Sequence, residues 1–480
     1  MRAGVPHDPT DPRPVAHPRP TTDPRPTTDP RPTTDPGPPA ASRPTRRLFG
    51  AAVVGALAAA GPLGGAAAAQ GRASAAAGAA PGTGAVAAGA VPAPSAPAGG
   101  ASHRAAPQMR GMWIATVTNR DWPSARGLGA RQQQEELTAL LDTAVRRRLN
   151  TVVLQVRPTA DALWPSPFEP WSEYLTGTQG RDPGWDPLGF AVEQAHARGL
   201  ELHAWFNPYR IALHTDPARL TADHPARRNP DWVVPYGGKL YYNPGNPRVR
   251  AFVQDAMADA VARYEVDGVH WDDYFYPYPV AGQVFDDDAE YERYGGDFAD
   301  RASWRRHNTD LLVREMAERV RAVRPRARFG VSPFGVWRNR ATDPEGSDTR
   351  AGVQTYDDLY ADTRRWVREE WIDYIVPQVY WNIGFAAADY AKLVPWWARQ
   401  VEGTGVRLYV GEAVYKVGDP KQPAAWQDPD ELSRHLDLCR EYPQVRGNVW
   451  FSAKEMVADP LGAVSRVVAD HYGRRVRPPR

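Results

Sequence analysis

The sequence predicts an α/β chain folded as a (β/α)8 TIM barrel over about residues 108–475. Three observations carry this: short apolar runs alternate with amphipathic helix-length runs, the alternation repeats eight times, and most repeats are about 35–65 residues apart. Strands that alternate with helices build a parallel sheet, and eight such units close it on itself. The predicted strands are Gly111–Val117, Thr151–Arg157, Glu201–Tyr209, Asp267–Tyr274, Arg328–Gly335, Asp373–Trp381, Arg407–Lys416 and Gly447–Met456. The helical runs between them are Gln132–Leu149, Leu188–Arg198, Arg248–Tyr264, Ala302–Val323, Tyr356–Glu370, Ala386–Val401 and Pro429–Glu441. Asn246-Pro247 supplies an N-cap with proline at the first helical position, and Gly199 and Gly403 follow helical runs as stops.

Ahead of the barrel, three segments differ in composition. Residues 1–45 form a low-complexity tail whose Pro-Thr-Thr-Asp-Pro-Arg period removes backbone donors and offers no apolar face, so it is expected to be either a disordered tail ahead of a targeting signal or the product of a wrongly chosen upstream start codon. Residues 46–70 resemble a twin-arginine export signal, with Arg46-Arg47 before a weakly apolar Ala/Gly-rich stretch and Ala-x-Ala cleavage options around Ala67 to Ala69. Gly61, Pro62, Gly64 and Gly65 interrupt that stretch, so a stable membrane anchor is not expected once the signal is removed. Residues 71–107 read as an Ala/Gly/Pro linker. The expected location is therefore extracellular or cell-wall associated.

A net charge of +2, from 58 basic and 56 acidic residues, gives no global field for nucleic acid. The single cysteine, Cys439, excludes an intramolecular disulfide and fits core packing. Seventeen tryptophans and 20 tyrosines are many for 480 residues, and flat rings suit sugar faces as well as cores.

In such barrels the chemistry sits at the carboxyl ends of the strands. The fourth ends in Asp272 and Asp273, followed by Tyr274, Phe275 and Tyr276. Paired carboxylates walled by rings point to glycoside cleavage. Candidate substrate contacts are Tyr274 here and, from the other ends, Arg157, Asn207, Tyr209, Arg210, Trp337, Gln378, Tyr380, Trp381, Tyr415, Lys416 and Trp450. The loops of residues 158–186 and 210–245 are longer than a barrel needs and rich in rings, which suits subsites for a polymer.

Adjacent strand residues face opposite ways, so Asp272 and Asp273 both reach a cleft only where the strand has turned into its loop. The favoured reading gives one of them the nucleophile or stabiliser role and the other a structural partner such as Arg210 or Arg338. A general acid then comes from Glu412, Glu169 or Asp161, in surroundings that raise its pKa. A substrate 2-acetamido group that attacks its own anomeric carbon, oriented by a carboxylate, is a further option. His203, His270 and Asp272 could be pictured around a metal, but no metal-binding spacing is present, and neither metal nor other cofactor is expected.

Six blocks in order resemble the glycosyl hydrolase-like 10 family over about residues 108–457. They are Arg110-Gly-Met-Trp-Ile-Ala-Thr-Val-Thr-Asn-Arg-Asp-Trp-Pro-Ser124, Leu149-Asn-Thr-Val-Val-Leu-Gln-Val-Arg-Pro158, Pro170-Trp-Ser-Glu-Tyr-Leu-Thr-Gly177, Glu201-Leu-His-Ala-Trp-Phe-Asn-Pro-Tyr-Arg210, Trp271-Asp-Asp-Tyr-Phe-Tyr-Pro277 and Val376-Pro-Gln-Val-Tyr-Trp381. The resemblance implies a TIM-barrel glycosidase of the bacterial envelope acting on a cell-wall glycan, with peptidoglycan strands lacking stem peptides as the leading substrate. A noncatalytic glycan-binding barrel and a metal-dependent polysaccharide deacetylase are the alternatives.

Overall fold

A computed structural model describes residues 107–479, so the tail, the export segment and all but the last residue of the linker lie outside the described residues. Eight parallel strands close into a barrel in sequence order, from Met109–Ile114 through Thr151–Arg157, Glu201–Phe206, Gly268–Trp271, Arg328–Val331, Tyr374–Ile375 and Arg407–Glu412 to Val445–Trp450, which pairs back with the first. The strands are mostly shorter than their apolar runs, because polar and aromatic residues beyond each end belong to the loops. Predicted helices recur within a few residues, except that 356–370 divides into Thr355–Asp358 and Thr363–Arg368 and 386–401 begins only at Tyr390. Asn246 caps Pro247–Arg263 by accepting the Arg248 amide at 3.0 Å.

Period-two alternation sorts the strand residues into two cores. Trp113, Val153, Trp205, Tyr374, Val376, Tyr409 and Val449 fill the barrel interior. Their neighbours, including Met112, Leu154, Phe206, Trp271, Val410 and Trp450, pack outward against the helices.

The interior also holds a polar rung. Trp113 donates its indole N–H to His270 Nε2 at 3.1 Å, so the His270 proton sits on Nδ1, 3.0 Å from the Tyr374 hydroxyl, which lies 2.8 Å from His203 Nδ1. Burial holds His270 well below the ordinary histidine pKa, as a neutral ring should be in this setting.

One addition was not foreseen. The long connection after the third strand folds into an antiparallel sheet of Arg210–Ala212, Lys239–Tyr242 and Val233–Tyr236, in that order. A Gly237-Gly238 turn, with φ of +58° and +75°, joins the last two strands and accepts the positive φ that tight hairpins require. The hairpin tip rests on the loop that follows Asp273: Gly237 N–H donates to Gln283 Oε1 at 2.8 Å, and the Tyr236 hydroxyl accepts the Val280 amide at 2.7 Å.

Candidate active site

The fourth strand ends at Trp271, and its alternation aims His270 and Asp272 into the barrel. Asp273 lies two residues beyond the strand, where the chain has turned, and its carboxylate is close enough to Tyr278 and Gln378 for hydrogen bonding. Both aspartates are 5 % exposed, so the tandem acids share one buried corner of the barrel mouth.

Their surroundings differ. Asp272 accepts the Trp205 indole N–H at 3.1 Å, the Asn207 amide at 3.0 and 3.2 Å and the Tyr274 backbone N–H at 3.2 Å. Burial raises its pKa, while the Arg210 charge and these donors oppose the rise. Asp273 is pushed up to about 6 by burial and by the neighbouring Asp272 charge, with the Tyr278 hydroxyl opposing. Donors that favour a carboxylate gather on Asp272, so it ionises first and holds the proton of its neighbour in place.

Half-exposed rings flank the pair. Tyr274 meets Tyr278 at 5.5 Å, Tyr278 meets Phe334 at 6.2 Å, and Phe334 meets Trp381 at 5.4 Å. A second group joins Tyr380, Tyr415 and Phe451 at 5.9 to 6.1 Å, with the Arg120 guanidinium 5.0 Å from the Phe451 ring centre. Lys416 supports this wall by donating to the Tyr380 carbonyl at 2.6 Å, and burial lowers its pKa to about 8. Gln378 donates to the Ser332 carbonyl at 2.8 Å beside Asp273.

Other predicted residues stand elsewhere. Glu412 alternates with Leu408 and Val410 on the outward face of its strand, where it accepts from Tyr390 Oη at 2.7 Å, Asn448 Nδ2 at 2.7 Å and His435 Nδ1 at 2.9 Å. Glu169 is fully buried against Arg157, with Nε to Oε2 at 2.6 Å. The pairing with the third strand shifts register between Gln155 and Arg157, and Arg157 also donates to the Pro208 carbonyl at 3.0 Å. Asp161 is sealed in the same loop, accepts the Thr159 amide at 3.0 Å, and is raised by burial to about 6. Tyr209, Trp337 and Trp450 belong to the core between strands and helices, with the Trp450 indole on Tyr472 Oη at 3.2 Å. Arg338 pairs with Asp357 and Asp343, each at 2.8 Å, and not with either aspartate of the site.

Trp205, Tyr278, Phe334 and Phe451 went unnamed at the sequence level. Strand alternation offered the signal for two of them: Trp205 shares the parity of Asn207, and Phe451 that of Val449. Among the described residues no group of three or more His, Cys, Asp or Glu side chains is arranged to hold a metal ion.

Residues 108–428 match the glycosyl hydrolase-like 10 family. The chain belongs to this family. The chain is 50 % identical over 376 residues to "Glycosyl hydrolase YngK" of Bacillus subtilis, covering 78 % of this chain and 74 % of that protein. It is 42 % identical over 374 residues to "Glycosyl hydrolase DigH" of Escherichia coli K12, covering 73 % and 84 %. The solved glycoside hydrolase domain of PgaB (BpsB) from Bordetella bronchiseptica superposes with a TM-score of 0.51 at 14 % identity, over 76 % of this chain and 99 % of that one, which is a likeness of fold alone. A glycosyl hydrolase-like family and a barrel mouth carrying paired acids and rings agree with a glycoside hydrolase-like function.

Proposed function

We propose that the protein is an exported glycoside hydrolase that cuts a cell-wall glycan of 2-acetamido sugars, with peptidoglycan strands lacking stem peptides as its substrate. The observation that carries this reading is the unequal pair of aspartates between two walls of rings. Asp273, raised to about 6, is the proton donor to the departing glycosidic oxygen, and Asp272 is the carboxylate.

Among the described residues the other candidate acids, Glu412, Glu169 and Asp161, are buried away from the mouth or already bonded, so no separate enzyme nucleophile stands opposite Asp273. The acetamido carbonyl oxygen of the substrate therefore attacks its own anomeric carbon as the C–O bond to the leaving sugar breaks. Asp272 orients the acetamido N–H and balances the positive charge that develops, and Asp273 gives its proton to the leaving oxygen. Asp273 then takes a proton from the water that opens the cyclic intermediate, which restores the enzyme and retains configuration. The Arg46-Arg47 segment supports export. No helix among the described residues is long and apolar enough to cross a membrane.

The test is incubation of the purified protein with defined glycans, with products read by mass spectrometry and their anomeric form by NMR. Binding without new reducing ends would reduce the protein to a glycan-binding barrel. The pH profile has a definite sign: kcat/KM should fall as pH rises through about 6, where free-enzyme Asp273 loses its proton, and that limb should flatten in Asp273→Asn. Glu412→Gln and Asp161→Asn should keep turnover within about threefold. Glu412→Gln should still unfold more readily, since an amide cannot match three buried donors and each mismatch costs about 1–3 kcal/mol. A thousandfold loss in either variant would reassign the acid.

A further inference from the structure

The small sheet carries two cations on one face, and one of them, Arg210, acts on Asp272. Arg210 is paired in register with Tyr241, and Lys239 lies two residues from Tyr241 on the same strand, so all three share one face. Arg210 donates through Nε and Nη2 to the Pro158 carbonyl at 3.1 and 3.0 Å and stacks over Tyr274 with its guanidinium carbon 5.1 Å from the ring centre. Its charge acts on Asp272 and also on Lys239, whose pKa is lowered by burial and then by Arg210. Among the described residues neither Arg210 nor Lys239 makes an ion pair. Two like charges on one sheet face, Arg210 buried and Lys239 half-buried, are unfavourable unless an anion comes between them.

We propose that Lys239, with Arg210 behind it, is a specificity residue that receives a carboxylate on the sugar bound at this side of the cleft. This rests on the reading of the protein as a hydrolase of cell-wall glycan. In such a glycan every second sugar carries a lactyl group whose carboxyl is amide-linked to the stem peptide when the peptide is present and is a free anion when it is absent. A half-buried cation at this position favours the free acid and opposes the amide, which would give the cleft a preference for peptide-free strands. The Gly237-Gly238 turn holds Lys239 there, because its tip is hydrogen-bonded to the loop that carries Asp273 and Tyr278.

The experiment compares one glycan preparation in two forms, with lactyl carboxyls free and with the same carboxyls converted to methylamides. Each is offered to the wild type, Lys239→Gln and Lys239→Arg, with turnover and calorimetric binding measured together. Amidation should raise the wild-type KM and Kd by about 10- to 100-fold, the range of a hydrogen bond to a charged group, and leave kcat within about threefold. Lys239→Gln should show the same rise on the free-acid glycan and no further change on the amidated one, and Lys239→Arg should restore most of the difference. Equal handling of both glycans by the wild type, or an equal penalty on both in Lys239→Gln, overturns the assignment while leaving the hydrolase reading intact. Absence of cleavage of either glycan overturns the hydrolase reading, and the binding ratio still decides whether the carboxylate is recognised.

Discussion

Asp273→Asn is expected to lower kcat/KM on a glycan by about 10³-fold, within the range of about 10²–10⁴ that a positioned general acid contributes. The loss should depend on the leaving group. On an aryl glycoside whose phenol departs as an anion, no proton is needed, and the variant should fall by less than about tenfold in the step that breaks the bond. Asp272→Asn should behave differently, losing as much with either leaving group because the charge it balances develops in both. The two ratios, measured side by side, separate proton donation from charge stabilisation. Parallel losses in both variants on both substrates would remove the assignment. Asn fits either site without changing volume, and thermal unfolding of Asp273→Asn should be unchanged or slightly later at neutral pH. The sign follows from the pKa: a carboxyl raised to about 6 when folded binds its proton more tightly than when unfolded, so its contribution to stability is present at low pH and lost as pH rises through about 6.

The second large effect lies outside the cleft. Arg157→Met should destabilise the fold by about 3–5 kcal/mol, because it leaves the fully buried Glu169 without a counter-charge. With an unfolding entropy of about 2 cal/mol/K per residue, spread over a barrel of this size, that is a drop of roughly 5 °C in Tm. Arg157→Met combined with Glu169→Leu should recover most of the loss, since two apolar side chains replace two charges of similar size. Activity should not recover with stability. Arg157 also donates to the Asn207 and Pro208 carbonyls, and Asn207 holds Asp272, so the double variant is expected to fold and still turn over slowly. Full activity in the double variant would show that the ion pair serves the loop alone.

The barrel was legible because burial on both faces makes each strand a short continuous apolar run and helix punctuation is local; Asn246, Pro247 and Gly199 act within a turn of where they stand. Position along the strand was also legible, which is why the acids at the fourth strand end, and Asn207 and Arg210 after the third, fall in the site. The side of the wall was the harder part. Glu412 and Trp450 lie at the correct height but on the outward face, and one residue of offset decides this, whereas Tyr209 shares the parity of Asn207 and joins the outer core because the strand has already ended at Phe206. Counting parity from His203 or Val449 would have exchanged Trp450 for Phe451 and added Trp205. Nothing local could have revealed the Arg157 register shift, because it depends on the neighbouring strand. The same holds for the split between Asp272 and Asp273, which follows from donors that arrive from Trp205, Asn207, Tyr278 and Gln378.

The inserted sheet has its two ends together: the Tyr242 amide donates to the Tyr209 carbonyl at 2.8 Å, so residues 210–241 leave and rejoin the barrel at nearly one point. A segment closed at its root can be exchanged between related barrels without moving either strand that flanks it. Asp272, Asp273 and the donors Trp205 and Asn207 all lie outside that segment, whereas Arg210 and Lys239 lie within it. The residues proposed for the reaction and those proposed for the choice of sugar therefore lie on separable stretches of chain, and grafting residues 210–241 from a related barrel is expected to change the preferred polymer and keep the reaction.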